Sequence, residues 1–160
     1  MANILVIANR LPYPLNHGGS LRIFNLDYQL SQKHNCYLAA FDRNSEQLKP
    51  FQKKGVFKTI TLLPVHKGRK RFRRYLRLTN ENFVKLSSQK YFNNIIKKIE
   101  NLLKNHNIDI VVAVTLELSE FIEPLQGVKK IVDDCDCRTL TFEREYKENK
   151  KHLSLMQRGK

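Results

Sequence analysis

Two short stretches of this 160-residue chain carry the residue types best suited to chemistry. The first is Asn9-Arg10-Leu11-Pro12-Tyr13-Pro14-Leu15-Asn16-His17-Gly18-Gly19-Ser20. Glycines let a backbone come close to a bound group, and the amides that open a following helix receive an anion such as a diphosphate. Gly18, Gly19 and Ser20 are therefore candidate diphosphate contacts. Asn16, His17 and, one turn later, Arg22 are weaker candidates for the same site. For Arg22 a solvated helix position fits equally well. The stretch is neither the G-x-G-x-x-G dinucleotide fingerprint nor a Walker loop, and an isolated Gly-Gly also serves as a plain turn. The second stretch, Ile131-Val132-Asp133-Asp134-Cys135-Asp136-Cys137-Arg138-Thr139-Leu140, sets three carboxylates within four residues. Such a cluster repels itself unless it is exposed or paired, so it is a site candidate. Arg138 can pair with these acids, and the simpler alternative is an N-cap cluster for a last helix.

Other candidate groups are weaker. Cys135 and Cys137 lack the second ligand pair of a closed zinc site, and the nearest histidine in sequence is His152, so no metal is expected. Three cysteines with no export signal point to reduced thiols. Thr115, Glu117 and Glu120, beyond an apolar run at 108–114, fall on the same sheet edge as the glycine loop, which makes Thr115 and Glu117 candidates to line a pocket there, although carboxylates such as Glu117 and Glu120 also open helices as solvated residues, the more ordinary reading.

Charge is concentrated. The chain holds 29 Lys and Arg against 15 Asp and Glu, a net +14, and residues 66–105 supply +10 of it. Its densest part contains Lys67, Arg69, Lys70, Arg71, Arg73, Arg74 and Arg77 with Phe72, Tyr75 and Leu76 between them. Cations interleaved with apolar side chains suit an anionic bilayer surface, at about 1 kcal/mol per cation, or a solvated loop. Nucleic acid is the competing polyanion. It is the poorer expectation, because the run falls in a crossover and no zinc-finger or RNA-recognition spacing accompanies it.

The elements that must hold these residues follow from periodicity. Continuous apolar runs at 4–8 and 108–114 predict central parallel strands, and shorter runs at 36–41, 57–63 and 130–133 predict three more. Between the first two, Leu21, Phe24, Tyr28 and Leu30 predict the buried face of a helix. A longer helix is predicted over 79–105, with a break near Ser87 and Ser88, and a charged helix after Leu140. The alternation is that of an α/β fold, a Rossmann-like open parallel sheet with helices on both faces. At 160 residues it forms one domain. No run reaches the roughly 18 apolar residues of a membrane span, and no leader precedes the first strand, so a cytoplasmic protein is expected, peripheral on the membrane if the basic run binds it.

Pro12-Tyr13-Pro14, then Asn16-His17-Gly18-Gly19-Ser20-Leu21-Arg22, then an amphipathic helix to about Leu30, resemble the opening of family 4 retaining glycosyltransferases. The strand and acidic loop at 131–140 resemble that family as well. The resemblance implies one half of a GT-B fold, the N-terminal, acceptor-side domain at 1–160. It implies Gly18 and Gly19 beside the diphosphate of a nucleotide-sugar donor, and Asp136 at the position of a catalytic-site Asp or His beside a sugar or lipid-linked acceptor. Asp133 and Asp134 are alternates for that position. Transfer would need neither metal nor cofactor. Relatives continue into a second Rossmann-like domain whose glutamate-containing motif holds the donor, and these 160 residues do not supply one. The chain alone is therefore expected to be inactive.

Overall fold

The structure is a computed structural model that describes residues 1–42, 46–65, 84–85, 88–134, 140, 143–144 and 146–147. Five parallel strands form one sheet: β1 (Asn3–Ala8), β2 (Asn35–Phe41), β3 (Thr59–Leu63), β4 (Ile110–Ala113) and β5 (Lys129–Val132). Their order is β3-β2-β1-β4-β5. The chain thus moves outward from β1 to β3, crosses back, and continues outward on the other side through β4 and β5.

Strand identity follows from burial. Ile4, Leu5, Val6, Ile7 and Ala8 are all buried, as are Leu38, Ala39 and Ala40 on the neighbouring strand. Parallel strands covered on both faces lose the polar alternation of a half-exposed strand, which is why these runs are uniformly apolar. Register is fixed by the pairs Val6 with Leu38 on one side and Val6 with Val112 on the other. β5 differs: all four of its residues are exposed, with Lys129 and Lys130 at a sheet edge where charge discourages pairing with other chains.

The helices are α1 (Gly18–Ser31), α2 (Leu48–Gln52), α3 (Gln89–His106) and α4 (Ser119–Ile122), the last preceded by a 3-10 turn at Leu116–Leu118. Right-handed crossovers that travel in opposite directions from β1 put α1 and α2 on one face and α3 and α4 on the other. The aromatic contacts agree. Phe24 of α1 meets Phe51 of α2 at 6.3 Å between ring centroids, whereas Phe92 of α3 stacks on Phe121 of α4 at 5.6 Å. α3 begins after Ser88, whose extended backbone breaks it from the helical residues 84–85, and ends on Asn107 in the left-handed conformation. The break near Ser88 is thus where the sequence puts it, and residues 79–83 lie outside the described residues.

One expectation is corrected. Leu21, Tyr28 and Leu30 do not face the core: they are 41%, 47% and 36% exposed. Ser20 and Asp27, seven residues apart and so on one helical face, are buried instead, with Ile23 and Phe24 packed partly against the core beside them. The inner face of α1 thus mixes the polar Ser20 and Asp27 with Ile23 and Phe24, while Leu21, Leu26, Tyr28 and Leu30 lie exposed on its outer faces.

Candidate functional site

The carboxyl ends of β1, β4 and β5 meet along one edge of the sheet, and every candidate among the described residues lies beyond those ends. Strand order reverses between β1 and β4, where open α/β sheets leave a crevice for ligands. The β1 to α1 connection passes through Leu11, whose amide donates to Asp42 Oδ2 at 3.2 Å, so the end of β2 pins the start of the loop.

α1 opens at the glycine pair. His17 is its N-cap, with extended backbone, and Nδ1 accepts from the Ser20 amide at 3.5 Å while Nε2 lies 3.3 Å from Ser20 Oγ. These two contacts are compatible with a neutral ring protonated on Nε2. Asn16 and His17 are exposed and Ser20 is buried beneath the first turn. A Cβ at Gly18 or Gly19 would meet nothing within 4 Å, and neither residue has positive φ. Neither packing among the described residues nor backbone conformation requires glycine at these positions, although two glycines weaken a helix by up to about 1 kcal/mol each relative to alanine. What the pair provides is a bare backbone surface at the positive end of a 14-residue helix.

Arg22 is not a solvated helix residue. Its guanidinium grips Asp133 with both ends of the fork: Nη1 donates to Oδ2 at 2.5 Å and Nη2 to Oδ1 at 2.6 Å. Asp133 is the first residue after β5, and its amide donates to the Ala113 carbonyl at 2.8 Å, continuing the β4 ladder. The contact joins positions 111 residues apart, one in each candidate stretch. Sequence reasoning offered Arg138 as the partner of these acids, and Arg138 lies outside the described residues. Asp134 is exposed next to Asp133. Asp136 and the basic run Lys67, Arg69, Lys70, Arg71, Arg73, Arg74 and Arg77 also lie outside the described residues.

Asp27 is the titratable group that the sequence did not single out. It is 4% exposed, and burial first, then the neighbouring Asp133 carboxylate, push its pKa up to about 7. Cys36 on β2 sits under the same turn, its Sγ 3.9 Å from the Asp27 carbonyl, and burial together with Asp27 pushes its thiol up to about 11. That keeps Cys36 an inert thiol at neutral pH.

Beyond β4, Thr115 Oγ1 is buried with no hydrogen-bond partner among the described residues, and Glu117 is half-buried in the 3-10 turn. Glu120 corrects another expectation. It is not a solvated helix-opening carboxylate: it is 5% exposed and accepts from the amides of Val84, at 2.9 Å, and Lys85, at 3.2 Å. It anchors the crossover that leads into α3. Among the described residues no group of three His, Cys, Asp or Glu could hold a metal ion, and no helix is long and apolar enough to cross a membrane.

The described residues thus define a Rossmann-like α/β domain whose candidate residues gather at the carboxyl edge of its sheet. Among solved structures the chain is similar to the crystal structure of a glycosyltransferase from Rickettsia africae ESF-5, at 18% identity and a TM-score of 0.46, over 82% of this chain and 29% of that one. It spans less than a third of that protein's length. No family model matches the chain, nor does any curated protein.

Proposed function

We propose that this chain is the acceptor-side Rossmann-like domain of a GT-B glycosyltransferase, of the retaining family 4 type that its two motifs resemble. It takes part in transfer of a sugar from a nucleotide-sugar to a sugar or lipid-linked acceptor. The observation that supports the reading is the glycine start of α1 at the strand-order reversal, where no described residue explains two helix-weakening glycines. A diphosphate lying against Gly18 and Gly19 would meet helix-opening amides at van der Waals distance, with Ser20 beneath and Asn16 and His17 at the rim. Asp136, two residues past the acidic pair Asp133 and Asp134, is assigned the carboxylate that faces the reacting sugar. Glu117, on the neighbouring loop, is assigned to the acceptor side. No metal or cofactor enters this scheme. The basic run of residues 67–77 is assigned to an anionic membrane surface, which would bring the domain to a lipid-linked acceptor.

In this reading the donor is held mainly by a second domain, so transfer requires both. The test is a donor-hydrolysis and transfer assay with UDP-, GDP- and ADP-sugars, on the chain alone and on the chain joined to a donor-binding domain. Transfer by the joined protein that Asp136→Asn abolishes without loss of folding supports the assignment. Unchanged turnover in Asp136→Asn removes that residue from the mechanism. Absence of transfer with every donor removes the enzyme reading.

A further inference from the structure

Two loops that must cooperate in any transfer reaction leave different elements of this fold, and the sheet alone does not fix their separation. The glycine loop leaves β1 and runs into α1, while the acidic loop leaves β5, two strands away across β4. A reacting centre between them needs its groups held to within a fraction of an ångström, and loops on separate strands do not achieve that without a cross-tie.

We propose that Arg22 and Asp133 are that cross-tie, a positioning pair that holds the glycine start of α1 and the root of the acidic loop in one fixed relation. Three observations carry this. The contact is bidentate at 2.5 and 2.6 Å, so it fixes orientation as well as distance, which a single-point lysine contact does not. Its two residues stand where leverage is greatest: Arg22 is three residues past Gly19, and Asp133 is one residue past β5 and hydrogen-bonded into the β4 ladder. The pair is also only partly exposed, with side chains 37% and 27% accessible, and the buried Asp27 adds a second carboxyl to the same cluster. A guanidinium committed to an internal carboxylate in this way is a brace, so Arg22 is assigned to positioning and not to contact with phosphate or acceptor.

The role in transfer rests on the function proposed above, whereas the coupling of the two loops does not, and the experiment separates them. Amide hydrogen exchange of the chain as it stands is compared for wild type, Arg22→Met, Asp133→Asn, the double variant and Arg22→Lys. Arg22→Met and Asp133→Asn are each expected to speed exchange about fivefold both in residues 21–25 and in residues 131–134, with α3 unchanged. The double variant should be no faster than either single one, because both remove one interaction. Arg22→Lys keeps the charge without the fork, and should give an intermediate effect. Faster exchange confined to the mutated element, or additive effects in the double variant, overturns the coupling. In the protein joined to a donor-binding domain, Arg22→Met and Asp133→Asn should lower kcat tenfold or more with KM for the donor within about twofold, and Arg22→Lys should recover part of it. Unchanged kcat alongside coupled exchange makes the pair a structural brace only and overturns its positioning role. Coupled exchange in a wild type that transfers no sugar is a failure of the proposed function and leaves the tie between the loops standing.

Discussion

The two edges of the sheet use similar residues to opposite ends. At the amino edge the polar side chains close on one another. Asn3 donates from Nδ2 to the His106 and Asn107 carbonyls at 3.0 and 2.9 Å, and its Oδ1 accepts from Asn35 Nδ2 at 2.8 Å. Its amide donates to Asp109 Oδ2 at 2.8 Å, and His106 stacks on Tyr37 at 4.5 Å. One asparagine thereby ties β1 to β2 and to the carbonyls that end α3. At the carboxyl edge Arg22 and Asp133 pair, but among the described residues the start of α1, the exposed Asp134 and the Thr115 hydroxyl do not close in this way. The polar groups of the amino edge tie strands and helix ends together, and under the function proposed above the carboxyl edge is the end left to meet a ligand.

The sharpest way to test that contrast is Asp27, which lies on the inner face of the helix that starts at the open edge. Its pKa of about 7 against a model-compound 3.8 means that the folded chain binds this proton more tightly than the unfolded chain does. The sign follows from proton linkage: between those two values the folded state holds more protons, so stability falls as pH rises from about 4 to about 7 and levels above that. The full span of three units corresponds to about 4 kcal/mol at most. Urea unfolding of wild type and Asp27→Asn between pH 5 and 8.5 should show a wild-type loss of stability up to pH 7 that the variant lacks. Parallel curves for the two would mean that the carboxyl is solvated and the inner face of α1 is looser than described.

The saturated edge predicts the next largest effect. Asn3→Ala removes three side-chain hydrogen bonds, two of them to helix-ending carbonyls that water can partly satisfy, and should lower stability by about 2 kcal/mol, read from the urea midpoint at constant m. Transfer by the joined protein should scale with the folded fraction alone. A loss of kcat at full folding would place function at the amino edge and break the contrast.

Gly18→Ala and Gly19→Ala turn the comparison into opposite signs within one residue. Since a methyl at either position meets no described residue, each substitution should stabilise the fold by about 0.5–1 kcal/mol. Each should also weaken donor use at least tenfold if a diphosphate lies against this backbone. Gain of stability with unchanged transfer would reduce the pair to an ordinary helix start.

The sheet was legible in the sequence because burial on both faces makes a strand a continuous apolar run, and β1 and β4 are such runs. β5 was legible too, displaced by one residue from 130–133 to Lys129–Val132, because Ile131 and Val132 stand out in a polar context. The orientation of α1 was not legible. Its four apolar markers fit a helical period, but Leu21, Tyr28 and Leu30 lie outside the face that meets the sheet, while Ser20 and Asp27 lie inside it. A hydrophobic pattern has no means of signalling a buried carboxyl. Nor could local reading find the tie from Arg22 to Asp133, since only the crossing of the chain from β3 back to β4 brings positions 111 apart into contact. The glycine pair was visible as a candidate, but that no described residue requires it is a fact of three-dimensional surroundings. Glu120 shows the converse error, a carboxylate read as solvated because its partners, the amides of Val84 and Lys85, sit 36 and 35 residues away.

Thr115 gives the smallest effect and the finest distinction between the edges. Its Oγ1 is buried and unpartnered at the end of β4, the opposite of Asn3, whose side-chain atoms are paired. Replacing a buried, unpaired hydroxyl by a methyl of similar shape removes a desolvation cost and no protein hydrogen bond. Thr115→Val should therefore be neutral or stabilising by up to about 1 kcal/mol in urea unfolding. If the hydroxyl instead serves a ligand at the carboxyl edge, the same variant should raise KM for donor or acceptor in the joined protein several-fold while stability holds. Destabilisation by more than about 1 kcal/mol would show that Thr115 already has an internal partner, and the carboxyl edge would then be more fully saturated than its geometry indicates.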